Sequence, residues 1–266
     1  ALGLEAGRGV SIIGFNCPEW AVADLAAIYA GGFPAGIYTT NAPEQCQYIA
    51  EHSESQIAVV EDQAQLDKFL AIQDQLPALE AIVLIHGEHQ ADNVHSWADV
   101  LALGEAQDDA ALDARIEAQD ADDVCTLIYT SGTTGQPKAV MISHDNATYT
   151  AKHIIDGLFA MTPQDCGLSY LPLSHIAAQL LDVLSPMVGG VQVYFASPKA
   201  LKGELKDWLG QIRPTIFFGV PRVWEKIKEA ILAKSRAAPK TKTQLKIINW
   251  AKRTAKKYNE NIQHGG

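Results

Sequence analysis

No stretch of this 266-residue chain approaches 18 consecutive apolar residues, which leaves no candidate for a membrane-spanning helix. Its first residues, ALGLEAGRGV, lack the basic-then-apolar order of a secretion signal. They also lack a methionine, so the chain reads as a piece of something longer. Four cysteines, Cys17, Cys46, Cys125 and Cys166, stand far apart, without paired or metal-ligand spacing. They read as buried free thiols in a reducing, cytoplasmic setting. Charge of one sign is missing in two places. Residues 51–123 carry 18 acidic residues against Lys68 and Arg115 alone, whereas residues 234–258 carry nine Lys or Arg and no acid. The formal net charge of −10 argues against nucleic acid as a partner, because phosphate backbones need a basic face.

What is present is the makings of a folded α/β unit. Hydrophobic residues make up 47% of the chain, enough for one large unit or two lobes with a real core. Strand-like runs at Val10 to Phe15, Ile57 to Val60, Ala81 to Ile85, Val124 to Tyr129, Gly167 to Leu171, Val191 to Ala196 and Thr215 to Phe218 alternate with helix-like segments. The helical ones are Pro18 to Ala30, Gln63 to Gln75, Ser143 to Phe159, His175 to Val188, Leu201 to Gly210 and Pro221 to Lys234. Such alternation implies largely parallel sheets with helices on both faces. The acidic stretch from 105 to 123 reads as a solvated helix or linker.

The densest chemical signal is YTSGTTGQPKAVMISHDN, residues 129–146. An apolar strand runs into a loop of hydroxyl residues and glycines, and Gly132 and Gly135 permit the tight backbone that aims N–H groups at an anion. Ser131, Thr133 and Thr134 add hydroxyl donors, and Lys138 adds a point charge suited to phosphate. The common phosphate loop is excluded. It needs Gly-Lys-Ser/Thr five positions beyond the first Gly, where this chain has Pro137, Lys138 and Ala139. The plain alternative is a Gly/Thr surface turn.

The run resembles the signature of the adenylate-forming superfamily (acyl-CoA synthetases, luciferases, peptide-synthetase adenylation domains), roughly TSGTTGxPKG, with Ala139 where Gly is usual. An extended backbone at Ala139 would make that change cheap. Two further segments follow in the order the family uses. SYLPLSHIAAQ (169–179) resembles the family's LPLxH segment, which implies that His175 orients the acyl group; a helix-capping histidine is the alternative. FFGVPRVWEKI (217–227) resembles the VPR segment of fatty-acyl-CoA synthetases. It implies an acyl pocket made by His175, Phe218, Gly219, Val220 and Trp224, with Phe217 nearby and Arg222 holding the loop through ion pairs; core packing is the alternative for Phe217 and Trp224. Upstream, NCPEW…AGGFPAGIYTTNAPEQCQYIAEHS (16–53) carries no obvious chemistry, yet its wording resembles the bubblegum-type long-chain acyl-CoA synthetases. The likeness covers most of the chain.

The resemblance implies a two-lobed α/β fold, with residues 1–160 as the lobe carrying the phosphate loop and 161–266 as an incomplete second lobe. It also implies a two-step ligase. A fatty carboxylate attacks ATP to give acyl-adenylate and pyrophosphate, and coenzyme A then displaces AMP. Thr130, Ser131, Gly132, Thr133, Thr134, Gly135, Gln136, Pro137 and Lys138 would hold the phosphates, Lys138 and His175 would serve the reaction, and Thr130 would contact Mg²⁺. The family's later aromatic-Gly-x-Thr-Glu segment, its Thr-Gly-Asp segment and its C-terminal lid domain with a catalytic Lys do not occur in this sequence. Activity of these residues alone is therefore not expected. The rivals are an adenylation domain for aryl or amino-acid carboxylates, and a nucleotide- or acyl-binding scaffold. Finally, Lys234–Tyr258 reads either as a solvated basic helix or as a weak peripheral contact with an anionic membrane, through a face holding Leu245, Ile248 and Ala255.

Overall fold

The computed structural model describes residues 2–130, 136–237 and 241–263. Its contacts divide the chain into two units, Ala1–Phe217 and Phe218–Gly266. The first unit is organised by a seven-stranded sheet. The chain runs β1 (Gly9–Ile13), α1 (Pro18–Tyr29), β2 (Phe33–Ile37), α2 (Pro43–His52), β3 (Ser55–Val60), α3 (Gln63–Leu70), β4 (Ala81–Leu84), β5 (Val94–Ser96), α4 (Trp97–Glu105), α5 (Asp109–Glu117), β6 (Val124–Thr130), β7 (Lys138–Ser143) and α6 (His144–His153). The strand order is β5-β4-β3-β1-β2-β6-β7. All neighbours are parallel except β6 and β7, which form an antiparallel pair on either side of the Gly/Thr loop.

Why the sheet forms is plain in its central strands. β1, β3 and β4 are buried at every position, as expected for strands covered on both faces. Their side chains alternate between two apolar layers. Ile13, Val60, Ile82 and Leu84 pack with Ile49 of α2 and Leu66 and Phe69 of α3. Ile12, Val59 and Val83 pack on the other face with Trp20, Ala23 and Ala27 of α1. Burial of each such aliphatic side chain contributes about 1.5–3 kcal/mol. Asp62 caps α3 by accepting from the Gln65 N–H at 3.0 Å, and Ser143 caps α6 by accepting from Asn146 N–H at 3.2 Å.

Beyond α6 the expected single helix to Phe159 changes pitch. Ile154–Phe159 is π-helical and ends at Ala160 in the left-handed conformation (φ 47°). A second π-helical turn, Leu180–Leu184, sits between α7 (Ile176–Gln179) and α8 (Ser185–Gly189). β8 (Cys166–Ser169) and β9 (Gln192–Phe195) form a parallel two-stranded sheet, followed by a 3₁₀ turn at Pro198–Lys202 and α9 (Leu205–Ile212). Residue 160 falls between the two sheets, while the first compact unit runs through both.

The reading of Thr215–Phe218 as a buried strand needs correction. Only Ile216 bridges to Gly167, and Thr215 and Phe218 are exposed. The Gly167–Ile216 contact is an isolated bridge outside the named strands. Pro34 and Gly36 made β2 hard to see in the sequence, yet β2 is central and buried from Pro34 to Ile37. Pro34 keeps its carbonyl in use, accepting from the Thr126 hydroxyl at 3.4 Å. The second unit consists of α10 (Pro221–Ala237) and α11 (Lys242–Gln263) with the short lead from Phe218. No helix among the described residues is long and apolar enough to cross a membrane.

Candidate functional site at the carboxyl edge of the sheet

In a parallel sheet the carboxyl ends of the strands gather along one edge, which is where ligands of α/β folds bind. Here that edge collects the residues after β1, the residue after β2, and the end of β6. Ala35 of β2 pairs with Leu127 of β6, so Tyr38 and Thr130, each three residues further on, stand at the same level. Side chains alternate, and Ile37 and Tyr129 belong to the α2 layer, which puts Tyr38 and Thr130 on the opposite, α1-facing side. Lys138 pairs directly with Thr130 in the antiparallel ladder, so it shares that side. The Thr130 hydroxyl donates to the Lys138 carbonyl at 3.4 Å, closing the base of the loop.

Ser131, Gly132, Thr133, Thr134 and Gly135 lie outside the described residues. The two flanks are described. Gln136 and Lys138 are exposed and Pro137 is half-buried. Ala139 is in an extended strand opposite Tyr129, so the substitution of Ala for the usual Gly sits where any L-residue is accommodated.

The loop carrying His175 reaches the same edge and the same face. Three devices hold it. Asn16, 5% exposed, donates to the Ser169 hydroxyl and to the Leu171 carbonyl, both at 2.7 Å, and accepts from Leu173 N–H at 3.2 Å. Tyr38 shares a hydrogen bond with Ser174, against the upward push that burial exerts on its phenol. Gly36 supplies room: a Cβ there would lie 2.8 Å from Ser174 Cα and 3.1 Å from its Cβ. His175 itself is exposed and caps α7, its Nδ1 accepting from Ala177 N–H at 3.2 Å. The cap uses Nδ1 and leaves Nε2 for other contacts. Capping and site placement therefore coexist in His175.

Two carboxyls of this unit, half-buried Asp182 and buried Asp24, are raised by desolvation. Burial pushes Asp182 up to about 7, against a hydrogen bond from Ser169 that lowers it. Asp24 on α1 is 1% exposed, burial pushes it up to about 7, and its Oδ1 has no hydrogen-bond partner. The cysteines do not form a nucleophilic site. Cys46 and Cys125 are buried, and burial raises their thiols to about 11 and about 12; Cys17, half-buried, also rises to about 12. Cys17 and Cys166 are less buried than their spacing suggested. A cavity of about 250 Å³ lined by Ile28, Tyr29, Ile116, Gln119, Asp120, Ala121 and His144 opens at the C-terminal end of α1, away from this edge.

The arrangement sets Thr130, Lys138 and the His175 imidazole on one edge of a largely parallel sheet. A family model described as AMP-binding enzyme matches residues 1–257. The chain belongs to the AMP-binding enzyme family. It is 49% identical to long-chain-fatty-acid–CoA ligase ACSBG2 of Xenopus laevis and 50% identical to ACSBG2 of Gallus gallus, over 94% of the chain in each case. Its identity to ACSBG1 of Rattus norvegicus is 45%, again over 94% of the chain. The chain spans about a third of the length of these relatives: 34%, 33% and 35%. Among solved structures, the A domain of a carboxylic acid reductase from Segniliparus rugosus in complex with AMP matches with a TM-score of 0.72. The match has 22% identity and covers 92% of this chain and 42% of that one. The anthranilate CoA ligase AuaEII in complex with anthranoyl-AMP matches with a TM-score of 0.68 and 22% identity, over 82% and 41%. These two likenesses concern the fold, and they agree with the α/β architecture of this AMP-binding enzyme chain.

His175 belongs to the first unit of this family member, and Phe218, Gly219, Val220 and Trp224 to the second. In the second unit the Trp224 indole N–H donates to the Gly219 carbonyl at 2.7 Å, and Arg222 pairs with Glu225 at 3.1 Å. Phe217, expected beside the pocket, stacks on Tyr170 with ring centroids 5.5 Å apart. Sequence reasoning passed over Asn16, Gly36 and Tyr38 because no motif marks them; each acts on residues more than a hundred positions away.

Proposed function

We propose that this chain is the ATP-phosphate-binding part of a longer ligase that activates long-chain fatty acids to acyl-adenylates and then to coenzyme A thioesters. The observation that carries the reading is the placement of Thr130 and Lys138 on the sheet face and edge that also receive the His175 loop. Adenylate formation needs two anions brought together and charge neutralised on departing pyrophosphate. Lys138 and the loop N–H groups suit that task, and charge-assisted hydrogen bonds of this kind contribute about 1.5–3 kcal/mol each. His175 suits orientation of an acyl carboxylate through Nε2, the ring nitrogen its helix cap does not use. Long-chain carboxylates are already ionised at neutral pH, so no general base is required. No covalent enzyme intermediate is required either, in keeping with thiols held protonated by burial.

Mg²⁺, when bound, would supply charge neutralisation on the phosphate oxygens. The residues fit such an ion: Mg²⁺ works mainly through phosphates with few protein ligands, and the exposed Thr130 hydroxyl retains acceptor lone pairs. Phe218, Val220 and Trp224, at 38%, 38% and 49% exposure, offer apolar surface for the acyl chain. The test is ATP–pyrophosphate exchange by the full-length protein with a panel of carboxylates. Exchange driven by long-chain fatty acids supports the reading. Exchange driven only by aryl or amino-acid carboxylates overturns the substrate assignment.

A weak membrane contact through the basic segment is favoured by one observation. On α11, Lys242, Lys246, Arg253, Lys256 and Lys257 fall on one arc at 100° per residue, opposite Ile247, Ala251, Ala255 and Tyr258. Ile247 and Tyr258 are 58% and 66% exposed. Co-sedimentation with anionic but not neutral vesicles is the expected result; equal recovery with both would reject it.

A further inference from the structure

The two flanks of the Gly/Thr loop, Tyr129 and Pro137, are gripped from behind. β6 and β7 frame the loop, and the last pair of their ladder is Thr130 with Lys138. Pro137 lies just beyond the last described pair of that ladder. The Tyr48 hydroxyl takes the Pro137 carbonyl, donating to its oxygen at 3.0 Å. One helical turn later on α2, His52 Nδ1 meets the Tyr129 hydroxyl at 2.9 Å. The two α2 rings stack on each other with centroids 5.6 Å apart, and His52 stands edge-on to Tyr129 at 5.8 Å. The Tyr129 hydroxyl also reaches the Ile49 carbonyl at 3.4 Å. A single turn of α2 thus holds the residue before Thr130 and the residue before Lys138. Both are held from the α2 side of the sheet, while Thr130 and Lys138 project from the other.

We propose that Tyr48 and His52 are positioning residues that fix the loop base and so set where Lys138 and Thr130 meet a nucleotide triphosphate. This rests on the phosphate-loop reading above. The geometry favours a positioning role over ordinary packing. The hydroxyl bond ends on the backbone atom adjacent to Lys138, α2 is tied into the core independently by Cys46, Ile49 and Ala50, and neither Tyr48 nor His52 belongs to the fully buried set. Removing the hydroxyl should therefore loosen the loop base while leaving the sheet intact. The fatty carboxylate is assigned to the His175 loop, which the hydrogen bonds of Tyr48 and His52 do not reach.

The experiment is steady-state kinetics of the full-length protein with Tyr48→Phe, Lys138→Ala and the double variant, with thermal unfolding of each. The expected result for Tyr48→Phe is an ATP KM about three- to tenfold higher, an unchanged KM for the fatty acid and an unchanged Tm. In the Lys138→Ala background the same change should add little further, because it acts through that residue. If Lys138→Ala raises the ATP KM and Tyr48→Phe does not, the brace is wrong and the phosphate-loop reading survives. A parallel rise of both KM values with a lowered Tm would mean a merely structural tyrosine and would also overturn the inference. If Lys138→Ala leaves ATP handling untouched, the phosphate-loop reading itself falls and takes the brace with it.

Discussion

Replacing Asp24 with Asn should stabilise the chain at pH 8 and flatten its stability against pH. Asp24 is 1% exposed, sits on α1 against the main sheet, and leaves Oδ1 without a partner. Burial raises its carboxyl from an ordinary 3.8 to about 7, and its charge in turn raises the Cys125 thiol. The folded pKa lies above the unfolded one, so the folded state holds the proton more tightly. Stability is then fully present below about pH 4 and is lost as pH rises through the window from 3.8 to about 7. A shift of this size corresponds to ~4 kcal/mol, of which about 1.4 kcal/mol, a factor of ~10, falls between pH 6 and 8. The isoelectric point near 5.2 makes pH 6 a sensible lower limit for the assay. Urea unfolding followed by circular dichroism at pH 6, 7 and 8 gives the slope for parent and variant. Asp182 titrates in the same window and is common to both, so it cancels in the comparison. Equal slopes in parent and Asp24→Asn would refute the argument that Asp24 is protonated in the folded chain at pH 6.

Gly36→Ala should push Ser174 and the His175 loop outward, costing about 1–3 kcal/mol in urea unfolding and lowering fatty-acid-dependent exchange. Asn16→Ala would leave Ser169, Leu171 and Leu173 short of a shared partner and should cost about 3 kcal/mol, read from the same unfolding curves. Iodoacetamide at neutral pH should leave Cys46 and Cys125 unmodified until urea is added, as scored by peptide mass spectrometry. The intact protein in its cell, captured through an antibody to this segment, should weigh more than twice 28.8 kDa; a mass near 28.8 kDa would favour a binding or scaffold role.

The parts of the fold legible in sequence were those with one physical cause. β1, β3 and β4 are buried on both faces and show as continuous apolar runs, and the Gly/Thr loop shows as a breach between β6 and β7. β2 was invisible because Pro34 and Gly36 contradict strand propensity. Tertiary fit overrides it: Gly36 gives the Ser174 loop its approach and Pro34 needs only its carbonyl. The segment Thr215–Phe218 misled in the other direction: its strand-like residues make one isolated bridge, at Ile216, and Thr215 and Phe218 are exposed. Of the candidate site residues, Lys138 and His175 were marked by local motifs. Asn16, Tyr38, Tyr48 and His52 were not, because each acts at sequence separations from 77 to more than 150 residues. The stretch from 16 to 53, which showed no chemistry as sequence, supplies all four.

The most direct test of the central assignment separates the two half-reactions in the full-length protein with Lys138→Ala. The proposed function sets Lys138 beside the departing pyrophosphate, so acyl-adenylate formation should slow far more than thioester formation from added acyl-adenylate. An equal loss in both half-reactions would contradict the placement of Lys138 at the phosphates.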